Sequence, residues 1–282
     1  MKKIFVFTFV IINLSISAFS QNVNYEVFAL RFATIEHPFP LSALVLDPTD
    51  KDSIHGIFMF WLIRGTNGKN ILVDAGFLSD VEEAKNFDVK NYTRPDSILT
   101  RVGLRAQDIT DVILTHPHWD HMDGIGLFPN AQVWIQKEDY YYFVGAAWQK
   151  KDDNGGFNKR DVRKLLELNL AGKMSLVEGD DKEIIPGIIV YTGSRHTFNS
   201  QYVFVKSGRD KIILASDNVY CYYNLEHLKS APQYSTFDTS GYVKAMERMK
   251  RLASNNKFII PGHDALLFSR FPLIAEGVIK IK

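Results

Sequence analysis

Cysteine is almost absent from this sequence, which contains only Cys221 in 282 residues. No disulfide bridge can form within the chain, so packing must supply its stability. Cys221 lies between tyrosines in the stretch NVYCYY. We interpret it as a small buried hydrophobic residue rather than a reactive thiol.

An excess of charge of one sign is also missing. The formal net charge is +1, and lysine and arginine form no dense block. Proteins that bind the phosphate backbone of nucleic acid need such a basic surface, so we expect no nucleic-acid partner. With 46% hydrophobic and 13% aromatic residues, the chain can fill a substantial core. A small, near-neutral ligand fits this charge better.

Long apolar runs are scarce, and the clearest one lies near the N-terminus. Residues 4–16 are almost wholly apolar, follow the basic start Met1-Lys2-Lys3 and precede the small residues of Ala18-Phe19-Ser20. The run is too short to cross a bilayer, and no cysteine follows it to carry a lipid. We predict an export signal over residues 1–20, a periplasmic or secreted protein and no transmembrane segment in the mature chain; the alternative is an N-terminal strand.

After residue 21 the apolar residues recur in short runs, without an internal repeat or a low-complexity linker. This continuity predicts one domain over residues 21–282. Strands dominate each half and helices follow each set, so we predict an α/β fold, a four-layer αββα sandwich of two facing mixed sheets with helices outside. The predicted strands are 25–34, 41–46, 57–64, 70–74, 111–114, 132–136, 188–192, 201–206, 211–215 and 258–260, and the predicted helices are 95–103, 137–148, 159–170 and 241–253.

Potential metal ligands are concentrated in the stretch LTHPHWDHMDG, residues 114–124, which holds three histidines and two aspartates. Pro117 forbids a regular helix, so we expect His116 and His118 in a loop at a strand end, followed by Asp120 and His121 in the next turn. One ion rarely uses four ligands packed this closely. We therefore predict two ions side by side, one served by the first pair and the other by the second.

Three further candidate ligands follow apolar runs at predicted strand ends: His196, Asp217 and His263. A single histidine in such a position more often has a hydrogen-bonded structural role, but the ordered set favours a metal site. Asp123, the other aspartate of the first stretch, is interpreted as a helix-start residue.

The ordered set resembles the metallo-β-lactamase superfamily, from about residue 58 to residue 264. The matching residues are His116-x-His118-x-Asp120-His121, the upstream Asp74-x-Gly76, and His196, Asp217 and His263. The resemblance implies two zinc ions per chain. By the same resemblance, one ion is held by His116, His118 and His196, the other by Asp120, His121 and His263, and Asp217 bridges them.

Several features separate the branches of that superfamily. Asp217 stands where the secreted β-lactamases have Cys or Ser, and His118 where the flavodiiron oxidoreductases have Glu. Nineteen residues follow His263, fewer than the helical appendage of glyoxalase II, and no basic groove of the nuclease kind is visible. The remaining group, the N-acyl-homoserine lactone lactonases, has a tyrosine three positions after the bridging aspartate, which matches Tyr220.

The resemblance to these lactonases implies an exported, quorum-quenching hydrolase whose partner is a small lactone with an acyl chain. Tyr220 is then expected to contact the substrate carbonyl region, and Asp120, a ligand with a spare carboxylate oxygen, to pass a proton to the leaving oxygen. The aromatic residues of 140–148, with Tyr222 and Tyr223, are the predicted wall for the acyl tail.

One motif departs from that group. The family usually reads Gly-His-Thr-Pro-Gly-His around its third histidine, whereas this chain has RHTFNSQ at residues 195–201. The ligand is kept but the Pro-Gly turn is lost, so loop shape and acyl-chain preference stay open. The alternative is a related dizinc hydrolase of another lactone, ester or organophosphate triester; a β-lactamase fits less well, and a non-enzymatic binding protein is disfavoured because every ligand position is filled.

Overall fold

The computed structural model describes residues 23–149 and 155–282, and the predicted export signal lies outside these ranges. The strands are β1 Tyr25–Ile35, β2 Phe39–Pro40, β3 Ser53–Ile54, β4 Ile57–Gly65, β5 Asn70–Val73, β6 Val89–Lys90, β7 Asp111–Ile113, β8 Gln132–Gln136, β9 Met174–Val177, β10 Lys182–Ile185, β11 Ile188–Thr192, β12 Gln201–Ser207, β13 Asp210–Ser216, β14 Ile259–Pro261, β15 Leu273–Ala275 and β16 Val278–Lys280. The helices are α1 Pro95–Ile98, α2 Trp119–Met122, α3 Lys137–Val144, α4 Lys159–Leu170, α5 Tyr222–His227, α6 Thr239–Leu252 and α7 Leu267–Arg270. None of the helices within the described ranges is long and apolar enough to cross a membrane.

The strands form two mixed sheets and one small hairpin. The first sheet has the order β15-β16-β1-β4-β5-β7-β8-β9, with β6 paired to β1, and is parallel from β5 to β9. The second has the order β10-β11-β12-β13-β14, with a parallel last pair. The hairpin joins β2 to β3. The parallel strands matter for function because their carboxyl ends share one edge of each sheet.

Each sheet is covered on both faces, as the alternation along β1 illustrates. Val27 and Ala29 belong to the apolar cluster between the two sheets, whereas Phe28 and Leu30 belong to the cluster beneath α1, α3 and α4. A third cluster joins the outer face of the second sheet to α5 and α6. The order is therefore helix, sheet, sheet, helix, which confirms the predicted four-layer αββα sandwich.

Three predicted elements differ from the structure. Residues 41–46, predicted as a strand, begin with a 3-10 turn at Leu41–Ala43. In this segment only Leu41 and Val45 are fully buried, and their spacing of four is that of a helical turn rather than of an alternating strand. The predicted helices 95–103 and 137–148 are each divided into a short α-helix and a following 3-10 turn, Leu99–Val102 and Ala146–Gln149.

Cys221 is buried in a small cluster with Leu41 and Val45. Burial raises the pKa of its thiol to about 12, because the thiolate would lose its hydration. At neutral pH the side chain is a buried neutral thiol whose S–H donates to Asn224 Oδ1 at 3.1 Å, which confirms its interpretation as a buried residue rather than a reactive thiol.

Candidate metal centre

The seven candidate ligands lie in loops at one edge of the two sheets. His116 and His118 follow β7, and His118 is the N-cap of the short helix α2, which carries Asp120 and His121. The later three come from the β11–β12 turn, the end of β13 and the end of β14. These strand ends meet at the same edge, so residues far apart in the sequence become neighbours.

The ligand atoms form two groups. His116, His118, His196 and Asp217 make up one, and Asp120, His121 and His263 the other; within each group the ligand atoms lie within 4.8 Å of one another. This division is the one that the resemblance implies.

Asp217 faces both groups with different oxygen atoms. Its Oδ2 lies 3.7 Å from His116 Nε2 and 3.4 Å from His196 Nε2. Its Oδ1 lies 3.2 Å from His121 Nε2 and 2.9 Å from His263 Nε2. The carboxylate therefore stands between the two groups, in the position that a bridging ligand requires.

The ligand atoms themselves fit a bound cation. His116 Nε2, His121 Nε2 and Asp217 Oδ1 are buried and make no hydrogen bond of acceptable geometry within the described residues, although the last two are close in space. A buried polar atom without a partner costs about 1–3 kcal/mol. Because these lone pairs converge, one divalent cation in each group satisfies several of them at once, so the residues fit a metal-binding cluster.

The other ring nitrogens are held by hydrogen bonds that orient the imidazoles. The Nδ1–H of His196 donates to Ser235 O (2.8 Å), and that of His263 donates to Ile57 O (2.9 Å). His116 Nδ1 lies 2.9 Å from Thr115 Oγ1. These contacts turn Nε2 of each of the three rings toward the centre, where His196 Nε2 lies 3.0 Å from His118 Nδ1. Orientation of a ligand imidazole through its other ring nitrogen is usual around a bound metal.

Burial and charge act differently on the two groups. Burial lowers the pKa of His116 well below its ordinary value and that of His118 to about 3, with neighbouring imidazoles adding to the effect. Burial also opposes the charge on His121, but the carboxylates of Asp120 and Asp217 outweigh it and raise its pKa well above 6.5. The first group thus offers neutral imidazoles, the form that binds metal, and the second a negative field that favours a cation.

Tyr220 lies beside this cluster. Its ring centroid is 5.4 Å from that of His196 and 6.0 Å from that of His263. Burial, together with the charge of Asp217, raises the pKa of the phenol well above its ordinary value of 10.0. Tyr220 therefore stays protonated and can donate a hydrogen bond next to the cluster.

Comparison with known proteins assigns this arrangement to a family. Residues 59–263, more than half of the chain, match the family model of the metallo-beta-lactamase superfamily. The chain belongs to the metallo-β-lactamase superfamily. This confirms the resemblance carried by the histidine and aspartate motifs.

Within the superfamily, the curated relatives are lactonases of modest identity. An N-acyl homoserine lactonase of Bacillus cereus is 24% identical over 60% of this chain and 61% of its own length. The N-acyl homoserine lactonase AttM of Rhizobium radiobacter is 26% identical over 62% of this chain and 65% of its own length. The match thus spans less than two thirds of these relatives.

Two solved structures share the metallo-β-lactamase fold. An AiiA mutant of Bacillus thuringiensis with N-decanoyl-L-homoserine at its active site has a TM-score of 0.68 and 22% identity, and covers 89% of this chain and 97% of that chain. AidC, a dizinc quorum-quenching lactonase bound to a product, has a TM-score of 0.59 and 18% identity, covering 80% and 83%.

The superfamily site of this chain opens into a cavity of about 270 Å³. Its polar lining includes His118, Asp120, Asp217, Tyr220 and His263. Its apolar lining is built from distant segments: Ile35, Phe39, Leu44, Phe58 and Phe87. The two kinds of lining adjoin, since the Phe58 ring centroid lies 5.9 Å from that of His263. The cavity therefore combines the ligand cluster with an apolar wall.

The predicted tail wall was wrong. Tyr142 stacks on Phe198, with ring centroids 4.8 Å apart, and Trp148 donates its indole N–H to Phe143 O. Tyr222 is buried between the two sheets, and Tyr223 stacks on His227. These four aromatic side chains pack against neighbouring groups of the protein, and none of them is among the residues that line the cavity.

The loop around His196 reaches its shape without the family's Pro-Gly turn. Asp139 of α3 accepts hydrogen bonds from Thr197 Oγ1 (2.6 Å) and Asn199 N (3.1 Å). Ser200 Oγ accepts from His196 N at 3.1 Å. A buried aspartate and a serine thus hold the loop that presents the third histidine. Sequence reasoning missed Asp139, which has no motif around it.

Asp74, part of the upstream motif, is a buried anchor beneath the cluster. Its carboxylate accepts hydrogen bonds from Thr115 N (2.8 Å), Ser216 Oγ (2.9 Å) and His121 Nδ1 (2.8 Å). Its φ of 66° lies in the left-handed region, which aspartate tolerates better than most residues. Asp74 therefore joins three segments of the site: the end of β5, the loop after β7 and the end of β13.

We expect Asp74→Asn to weaken metal binding. The amide cannot accept all of these hydrogen bonds, so His121 loses its orientation, and loss of such a supporting group typically costs about 10–100-fold in metal affinity. Metal retained after dialysis against a graded series of chelator concentrations measures the effect. Asp111→Asn is the matched control, since Asp111 is equally buried at the other end of β7, where it pairs with Lys69. Equal metal loss in both variants would contradict the assignment.

Asp139, which holds the His196 loop, should make the unfolding free energy depend on pH. Burial raises the pKa of Asp139 from 3.8 to about 6, against the opposing hydrogen bonds from the loop. A carboxyl group whose pKa rises on folding contributes stability at low pH, and this contribution is lost as pH rises from about 4 to about 6. Between pH 4 and pH 7, the unfolding free energy of the wild type should therefore fall by about 3 kcal/mol more than that of Asp139→Asn. Urea unfolding at each pH measures it; parallel profiles for the two proteins would count against this role.

Proposed function

We propose that the protein is an exported dizinc hydrolase that opens the lactone ring of N-acyl-homoserine lactones. The observation that carries the proposal is Tyr220, which lines the same cavity as the ligand cluster and an apolar wall. A substrate with a polar ring and an apolar tail matches this polarity. The curated relatives named as N-acyl homoserine lactonases support the same substrate class.

Two metal ions are proposed because the ligands fall into two groups. His116, His118 and His196 would hold one zinc ion and Asp120, His121 and His263 the other, with Asp217 shared between them. The nitrogen and carboxylate donors suit zinc. When bound, such a pair supplies Lewis acidity and lowers the pKa of water, so that a nucleophile forms near neutral pH.

The protein side chains then provide orientation and proton transfer. Tyr220 donates its phenolic hydrogen to the substrate carbonyl oxygen as negative charge develops there. Asp120, which lines the cavity, takes the proton released by the attacking water and passes it to the ring oxygen. One carbon–oxygen bond forms, the ring carbon–oxygen bond breaks, and the product is an open-chain N-acyl-homoserine.

Export is proposed on the sequence of the first twenty residues alone. A basic start, a short apolar run and small residues at the cleavage positions are typical of a signal peptide. An exported hydrolase of this kind would meet its lactone outside the cytoplasm.

Ring opening by the purified, zinc-loaded mature protein tests the function. We expect N-hexanoyl-homoserine lactone to be consumed and to reappear on acidification, because the open-chain product recyclises in acid. Tyr220→Phe should lower kcat roughly a hundredfold, as loss of one oxyanion donor does. Release of free homoserine lactone would indicate an acylase and overturn the proposal. Turnover of a phosphotriester or a chromogenic cephalosporin in place of the lactone would favour the alternatives.

The acyl tail should lie against the apolar wall of the cavity. Phe87 stacks edge-on with Phe39 and Phe58, at centroid distances of 6.2 Å and 5.9 Å. Each methylene that leaves water contributes about 0.8 kcal/mol, so Phe87→Ala should reduce kcat/KM about tenfold for a decanoyl substrate and less than about twofold for a butanoyl one. Trp148→Ala, another half-buried aromatic residue, is the control and should leave the chain-length profile unchanged. A uniform loss across chain lengths in Phe87→Ala would remove this tail site.

A further inference from the structure

One buried hydroxyl group contacts both ends of the turn that carries Asp217 and Tyr220. Tyr242 of α6 is fully buried, and its phenolic oxygen donates to Asp217 O at 2.9 Å. The same oxygen accepts a hydrogen bond from Tyr220 N at 3.0 Å. A single side chain therefore contacts the backbone of the shared ligand and of the residue proposed to bind the substrate carbonyl.

The position of this hydroxyl within the turn is specific. A four-residue turn is often closed by a hydrogen bond from its fourth N–H to its first carbonyl. In the segment from Asp217 to Tyr220 these two groups bond instead to Tyr242 Oη. The hydroxyl therefore joins the two ends of this segment.

Tyr242 is itself held rigidly. Asp238 caps α6 by accepting a hydrogen bond from Gly241 N at 2.8 Å. A Cβ at Gly241 would lie 2.7 Å from Gly193 O, so only glycine allows the helix to pack this closely on the turn before His196. The start of α6 is thus fixed against the segment that presents the third histidine, one residue before Tyr242.

A neighbouring tyrosine gives the contrast. Tyr202 is also fully buried and belongs to the same apolar cluster, but its hydroxyl has no hydrogen-bond partner in the part of the chain that the structure describes. The ring of Tyr202 therefore acts through packing alone, and a phenylalanine at this position would pack equally well. At Tyr242 the hydroxyl has two partners, both in the site turn.

We propose that Tyr242 is a positioning residue that sets the spacing between the Asp217 carboxylate and the Tyr220 phenol. The inference rests on the proposed function for the role of Tyr220, but it does not depend on which ester or lactone is hydrolysed. Through Asp217 it reaches both ligand groups, and through Tyr220 it reaches the substrate carbonyl.

Tyr242→Phe tests the proposal, with Tyr202→Phe as the matched control. In Tyr242→Phe we expect zinc release to a chromogenic chelator to be about tenfold faster. We also expect kcat to fall about tenfold while KM stays within about twofold. The free energy of one hydrogen bond corresponds to rate factors of this size. Tyr202→Phe should match the wild type in both. If Tyr242→Phe lacks a cooperative thermal transition, both assays are repeated with trimethylamine N-oxide, which restores folding without replacing the hydroxyl.

A double-mutant cycle then separates positioning from general stability. If Tyr242 acts on turnover through Tyr220, adding Tyr242→Phe to Tyr220→Phe should lower kcat by clearly less than it does in the wild type. Fully multiplicative losses, or a variant that loses thermal stability while keeping wild-type kcat and zinc release, would overturn the proposal. If the wild type opens no lactone, the proposed function fails, while the zinc-release comparison still decides whether Tyr242 positions Asp217.

Discussion

The carboxylate of Asp217 is the constraint on which the rest of the site depends. One oxygen faces the group formed by His116, His118 and His196, and the other faces His121 and His263. A buried negative charge is costly unless it is paired and hydrogen-bonded, so this carboxylate depends on the groups around it. The fold places the other ligands around this residue: the two sheets bring their strand ends together, and the loops at these ends carry the ligands.

Support for the centre comes from side chains that touch no substrate. Asp74 ties the loop after β7 to the end of β13, Asp139 holds the His196 loop, and Tyr242 spans the turn after β13. Each is buried, and each bonds to backbone or to a ligand's ring. Buried hydrogen bonds of this kind fix positions more firmly than exposed ones, because no water competes for the same groups.

Much of the fold and of the cluster was predictable from local sequence. The ligand stretch combines Pro117 with closely spaced histidines, and its position after an apolar run indicated a loop at a strand end, where the structure has it. The apolar wall of the cavity was not predictable, because Phe39, Leu44 and Phe87 come from separate segments without a shared pattern. The segment with Leu41 and Val45 was predicted as a strand for a related reason. The spacing of apolar residues in such a short run does not distinguish a strand from a helical turn.

The sequence by itself determined the chemistry: which donor atoms are present, their order along the chain, the lack of disulfides and the alternation that buries both faces of each sheet. These properties are local, since they depend on residue type and spacing. Tertiary structure alone decided which oxygen of Asp217 faces which group, that Tyr242 contacts both ends of the Asp217 turn, and that phenylalanines rather than the tyrosines of α3 line the cavity. Those outcomes depend on contacts between segments far apart in the sequence, such as His263 with Ile57, which are 206 residues apart. No local pattern encodes such contacts.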